Sequence, residues 1–299
     1  MSELDEWVGA AKTENERNFR SVVHIILNAI SSQHELQTQM VMKGGILMAI
    51  AYHTGRYTKD IDFSTTKHYS EFQAGQDQFI DNIDNAIKLA AAKLPYGFAC
   101  AIQSSEVRPG VTGNYQTLHL SVGYASKNSS GAMKKLSMKQ AVHVVKIDYS
   151  FNELVGDLAM IDANGEENLQ TYGQLTLVAE KYRALIQQGS GGRARGSSRG
   201  QDIFDLHSLL TQSPPSVEAQ SHLVDLLIEK SHSRDVVARQ DSMSEDVIYA
   251  KSEERYANLV DEIDGQLPNF DEAFAFVRRF YEEMPWPKNS QAQSHLEKL

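Results

Sequence analysis

Two aspartates spaced by one residue, Asp60 and Asp62, stand in the stretch YTKDIDFS. Tyr57, Lys59, Ile61 and Phe63 alternate there with Thr58, Asp60, Asp62 and Ser64, the period of two of a β-strand. Such a strand turns Ile61 and Phe63 to one face and both carboxylates to the other, roughly 6–7 Å apart. Carboxylates so placed suit one Mg2+, or two ions about 3.5–4 Å apart as in phosphoryl and nucleotidyl transfer. VVKIDYSFN offers a third carboxylate, Asp148, beside Val145 and Ile147. An aspartate there runs against strand propensity, and like charges on one face repel unless a cation neutralises them. The competing reading of each aspartate is a solvated strand end.

Gly44 and Gly45 lie between a short strand-like run, QTQMVMK, and ILMAIAYHT, which reads as a buried helix stopping near Gly55. Glycines ahead of a helix let backbone N–H groups approach an anion closely, and the helix N-terminus adds partial positive charge. Alone the pair reads as a tight turn. One helix ahead of the D-x-D strand, it fits phosphates that share metal ions with Asp60 and Asp62. Further along, Lys181 in EKYRALIQQ is a cation able to reach a phosphate as a point charge. In RGQDIFDL, Asp202 and Asp205 share a helix face. The structural alternatives are a solvated lysine, a dipole partner in Asp202, and an ion pair of Asp205 with Arg183 or Arg199. His207 reads as structural.

These residues need elements to hold them. NERNFRSVVHIILNAIS places Phe19, Val22, Val23, Ile26 and Ala29 on one helical stripe. Residues 74–94 read as an amphipathic helix. YGFACAIQSSEV, YQTLHLSVGYA and HVVKIDYSFNE read as three strands, and SKNSSGAMKKLSMKQ as a polar loop. Beyond about residue 165 the pattern turns helical: TYGQLTLVAEKYRALIQQ, DIFDLHSLLTQ, SVEAQSHLVDLLIEKSH, KSEERYANLVDEI and DEAFAFVRRFYEEM. The expected organisation is an α+β domain over 1–165 and an all-helical domain over 166–299. GSGGRARGSSRG is a low-complexity cationic segment expected to be mobile.

The 299 residues carry a formal charge of −10, which excludes a general polyanion binder but allows a local basic patch. The single cysteine, Cys100, excludes an intramolecular disulfide and a thiolate metal cluster. The acidic N-terminus lacks the character of a signal peptide, and no apolar run reaches a membrane span's length. A cytoplasmic protein made without processing is expected.

The order of motifs is K-G-G, then R-x-[ST]-x-D-I-D-F, a third strand Asp followed by a Glu, E-K-x-x-A-L, and R…D-x-x-D-L. It resembles the AbiEii/AbiGii toxin family of nucleotidyltransferases, the toxin halves of abortive-infection (antiviral defence) and type IV toxin–antitoxin systems. The matching elements run from Lys43 to Leu206. The resemblance implies a polymerase-β-like fold, a mixed sheet flanked by helices and followed by a helical domain, acting on a Mg2+-bound nucleoside triphosphate. By position it implies that Lys43, Gly44, Gly45 and Arg56 hold nucleotide. Asp60 and Asp62 would bind metal, with Asp148 as third carboxylate and base. Lys181 would contact triphosphate, and Asp202 would belong to the helical domain's motif. Some relatives modify the 3′ end of tRNA, and a toxin implies a cognate antitoxin. The chain departs from the pattern at Ile46, where relatives often carry Thr or Ser. It departs also at Gly200 and Gln201, where an Arg often precedes the Asp and Arg199 stands instead.

The leading expectation is Mg2+-dependent nucleotidyl transfer from an NTP to an acceptor hydroxyl. RNA, above all tRNA, is the favoured acceptor, with Arg193, Arg195, Arg199, Lys134 and Lys135 on backbone phosphates. A protein side chain is the second acceptor considered. A nucleotide-binding regulator without turnover and a metal-dependent nuclease are the other classes considered.

Overall fold

The computed structural model describes residues 2–110, 113–189 and 198–287. The first helices are α1 (Glu3–Gly9), α2 (Glu14–Ser31) and α3 (His34–Gln39). Strand β1 (Val41–Lys43) runs directly into α4 (Gly44–Ala51), and β2 (Asp60–Ser64), α5 (Tyr69–Phe72) and α6 (Gln76–Lys93) follow. Then come β3 (Phe98–Arg108), β4 (Thr117–Ser126), α7 (Ser130–Ser137), β5 (His143–Ser150), β6 (Leu158–Asp162) and β7 (Asn168–Tyr172). The remainder is helical: α8 (Gln174–Ile186), α9 (Gly200–Gln212), α10 (Val217–His232), α11 (Asp246–Glu253) and α12 (Phe270–Glu283).

The seven strands form one mixed sheet in the order β3-β4-β5-β2-β1-β7-β6. The β2–β5 and β1–β7 pairs are parallel and the others antiparallel. Period-two alternation gives the central strands one apolar face, with Ile61, Phe63, Leu118, Leu120, Val122, Val145, Ile147 and Tyr149 buried. The stripe of α2 (Phe19, Val22, Val23, Ile26, Ala29) is buried as its spacing requires, and so are Phe79, Ile83 and Ile87 of α6. Phe79 stacks on Tyr149 at 5.4 Å between ring centroids, and Phe72 and Phe151 close the same aromatic cluster.

The fold is therefore the expected α+β class: a mixed sheet with flanking helices, followed by a helical C-terminal part. Two compact units divide the chain. One comprises residues 1–53 and 57–173, and the other residues 54–56 and 174–299. Residues 54–56 join the helical unit through an antiparallel bridge of Arg56 to Ile263 and an Asp264 N–H donated to the Gly55 carbonyl.

Several local expectations are corrected. Residues 126–140, read as a polar loop, contain α7, which starts where the Ser129 hydroxyl accepts from the Ala132 N–H and which buries Leu136. The strand expected over QTQMVMK is confined to Val41–Lys43 because α3 occupies the preceding residues. KSEERYANLVDEI does not form one helix. After α11 the chain takes a positive φ of 66° at Arg255 and continues as a 3-10 turn over Tyr256–Asp261. The β6–β7 hairpin was not anticipated and extends the sheet to Tyr172. The segment expected to be mobile lies, over residues 190–197, outside the described residues.

Candidate active site

Strand pairing, a property no local window contains, assembles the polar side of the sheet. Lys43 pairs with Asp62, Asp62 with Asp148, Asp148 with His119 and His119 with Glu106. These residues form one row across β1, β2, β5, β4 and β3. Paired residues share a face, and neighbouring strands lie about 4.7–4.9 Å apart, so Asp62 and Asp148 are adjacent. Asp60 stands two residues earlier on the same face, opposite Lys146. All three aspartates are half-buried, between the apolar residues that anchor their strands.

His119 was not singled out by its sequence, and it is the new member of the row. Its Nδ1 donates to Asp148 Oδ1 at 2.7 Å, with the two side chains 37% and 30% exposed. The bond fixes one oxygen of Asp148 and leaves the other to a ligand. The available signal was LHL, a histidine set between two buried leucines of a strand. Its partner could be known only from the β4–β5 register.

Gly44 begins α4 at φ +80°, a conformation that L side chains rarely adopt. A Cβ there would collide with the Asp62 carboxylate, whose Cγ would lie 2.8 Å away. Glycine is thus required twice, for its backbone and to let Asp62 close over the start of the helix. The N-cap residue Lys43 makes no side-chain cap bond to α4, whose N-terminus sets partial positive charge beside that carboxylate. Gly45 is buried in the first turn. Lys43 Nζ lies 3.4 Å from Glu153 Oε1 and 5.9 Å from the centre of the Tyr172 ring. Ile46 is 1% exposed and belongs to the core, so the departure from Thr or Ser falls on a packed position.

The donors present are carboxylate oxygens, the ligands a hard cation such as Mg2+ prefers. Asp62 and Asp148 adjoin, Asp60 shares their face, and the space beside Gly44 is kept clear of a Cβ, so the chemistry of the set fits a divalent ion. Among the described residues no group of three or more His, Cys, Asp or Glu side chains is placed so as to hold a metal ion by itself. An ion here would complete its shell with substrate oxygens and water.

The other expected residues lie in the helical unit, around one buried carboxylate. Asp205 of α9 is held by Arg56, whose Nε and Nη2 donate to its two oxygens at 2.9 and 3.1 Å. Lys181 Nζ of α8 bridges Asp205 Oδ2 at 2.6 Å and Asp202 Oδ1 at 3.1 Å. Arg199 Nη1 reaches Asp202 Oδ2 at 3.4 Å. Burial pushes the Asp205 pKa up, but the Lys181 ammonium and Arg56 guanidinium outweigh it and hold the carboxyl below its usual range. For Lys181, burial pushes down and is overcome by Asp205 and Asp202, which leave the ammonium raised. Lys181 is therefore not a solvated helix charge, and Asp205 pairs with neither Arg183 nor Arg199. Arg183 donates instead to Glu180 and Gln187. His207 packs edge-on against Phe276 at 5.2 Å.

Of the cations expected on RNA, Lys134 and Lys135 are exposed on α7, and Arg199 is engaged with Asp202. Arg193 and Arg195 lie outside the described residues. No helix among the described residues is long and apolar enough to cross a membrane.

Comparison with known proteins adds family and fold. A structure of a Helicobacter pylori protein assigned as a nucleotidyltransferase superposes with a TM-score of 0.50 at 15% identity, covering 96% of this chain and 98% of that one. The structure of JHP933 from Helicobacter pylori covers the same shares at 15% identity, with a TM-score of 0.49. At such identity the first likeness concerns the fold alone. No curated protein matches the sequence significantly. The family model for the nucleotidyl transferase AbiEii toxin of type IV toxin–antitoxin systems matches residues 25–276. That span contains every element carrying the aspartate row and the buried ion cluster, and the chain belongs to the AbiEii family of nucleotidyltransferase toxins.

Proposed function

We propose that the protein transfers a nucleotide from an NTP to a hydroxyl of RNA, with the 3′ end of tRNA as the favoured acceptor, and thereby stops growth. The observation that carries this reading is the β2–β5 register, which sets Asp62 beside Asp148 and over the glycine that opens α4. Asp60, Asp62 and Asp148 would hold Mg2+, which when bound lowers the pKa of the acceptor hydroxyl and neutralises charge on the triphosphate. Gly44 and Gly45 present backbone N–H groups to the phosphates. Lys43 adds a cation beside the row, while Lys181 and Arg56 are committed to Asp205 within the helical unit. The acceptor oxygen attacks the α-phosphorus, the bond to the β-phosphate breaks, and pyrophosphate leaves. Asp148 receives the hydroxyl proton, with His119 keeping its carboxylate in place. Most of the acceleration comes from in-line positioning and charge neutralisation.

The family supports an antitoxin partner. We place the activity in the cytoplasm, where NTP and tRNA are found. Induced expression is the test in cells. Wild type should arrest growth and deplete aminoacylated tRNA, while Asp62→Ala should do neither. An Asp62→Ala protein as toxic as wild type contradicts the catalytic reading.

A further inference from the structure

The sheet unit has a second concavity away from the aspartate row. It is a cleft of about 620 Å³ lined by the rings of Phe19, Tyr57, Phe98, Tyr124 and His143, with Lys59 and Lys135 among its other walls. That volume falls in the range of small-ligand sites. Tyr124 and His143 are register partners across β4 and β5, and their rings stack at 5.5 Å with 30° between planes. Phe98 meets Tyr124 edge-on at 5.6 Å, and Phe19 meets Tyr57 at 5.5 Å. Strand alternation explains the location. Lys59 precedes Asp60 and points to the opposite face, and Tyr124 and His143 stand where the apolar face of Val122 and Val145 ends.

Several polar side chains of the cleft lack partners among the described residues. The chain has ten more acidic than basic residues. Yet among the described residues neither the Lys59 nor the Lys135 ammonium has a carboxylate or a hydrogen bond. The hydroxyls of Tyr57 and Tyr124 and the amides of Asn15 and Asn18, all in the lining, likewise make no hydrogen bond among them. Aromatic rings beside unpaired ammonium groups suit a ligand that is both flat and anionic. A base with its flanking phosphates is such a ligand, since stacking tolerates any base and lysines track the backbone. His143 lies five residues before Asp148 on β5, roughly 16–17 Å along the strand and on the other face. The cleft is thus an anchoring place and not the place of reaction. We infer that it seats an unpaired nucleotide of the acceptor RNA, its base against Tyr124 and His143 and its phosphates on Lys59 and Lys135. This inference rests on the RNA-acceptor reading above.

The test uses the full chain with Lys59→Ala, Lys135→Ala and His143→Ala combined, three exposed positions whose loss leaves the core intact. Binding of a fluorescein-labelled, unstructured oligouridylate is followed by anisotropy. The variant should bind it at least tenfold more weakly, with thermal melting and NTP affinity unchanged. Equal binding by variant and wild type overturns the inference. So does competition in which UMP displaces the oligomer as well as an equal concentration of unlabelled oligomer, because the occupant is then a free nucleotide. Transfer assays separate the two readings. Cleft-dependent RNA binding without any transfer to RNA keeps the anchor and removes the proposed reaction. Transfer to RNA with an unchanged KM for RNA in the triple variant keeps the reaction and removes the anchor.

Discussion

At Gly44 a side chain has nowhere to go, because the Asp62 carboxylate already occupies the space. Gly44→Ala would have to move Asp62 and hold alanine at a positive φ. The backbone conformation alone should cost about 1–2 kcal/mol. If Asp62 acts as proposed, displacing its carboxylate by about 1 Å should lower the transfer rate on the order of 100-fold. Steady-state kinetics with a melting curve would check both, and full activity in Gly44→Ala would contradict the assigned geometry. In the proposed mechanism His119 acts through Asp148, as a positioning residue. His119→Ala should lower kcat about 10–100-fold, the usual effect of removing a partner behind a metal-binding side chain. The Mg2+ requirement should rise in parallel, and recovery of kcat at high Mg2+ would separate positioning from a folding defect. A variant as active as wild type at low Mg2+ would remove His119 from the site.

Elements hold these residues by register and by ion pairing, and the two differ in how much of them sequence makes legible. The alternation in YTKDIDFS and HVVKIDYSFNE placed the aspartates on strands, and their shared face followed from a period of two. That Asp62 lies beside Asp148, with His119 next along, depends on which strands pair, and pairing joins residues far apart in sequence. The ammonium of Lys181 was legible as a cation, but its capture by Asp202 and Asp205 was not. Arg56, the other partner of Asp205, comes from a segment 149 positions earlier in the chain. Helix α7 was missed because its residues are mostly polar and its start is a single serine cap. Within the helical unit, Asp205→Ala would leave Lys181 and Arg56 buried without their shared carboxylate. Such a loss should destabilise that unit by about 3–5 kcal/mol, read as a lower denaturation midpoint. The pH dependence has a definite sign. Asp205 has a depressed pKa in the folded state, so its contribution is complete above the unfolded carboxylate's value of about 3.9. It is lost as pH falls below that through the folded value. Lys181 has the opposite sense: its contribution is complete below about 10.4 and is lost as pH rises through its raised folded pKa. Melting of Asp205→Ala should therefore be flatter with pH at the acid end than melting of wild type.

For the whole molecule, a net charge of −10 means that RNA can be held only where cations are locally concentrated. Two lysines on phosphates of a single strand should give a slope of about −1.4 in log affinity against log salt, at about 0.7 per contact. Replacing Lys59 and Lys135 should flatten that slope, and anisotropy between low and moderate salt would measure it. The central claim is that the aspartate row transfers nucleotides to RNA. The measurement that meets it most directly is incubation of the purified protein with total RNA, Mg2+ and each α-³²P-labelled NTP in turn, resolved on a denaturing gel beside an Asp60→Ala control. A labelled band of tRNA size that disappears with Asp60→Ala is the expected result. Label on protein alone, or an RNA band of equal intensity in Asp60→Ala, would contradict it.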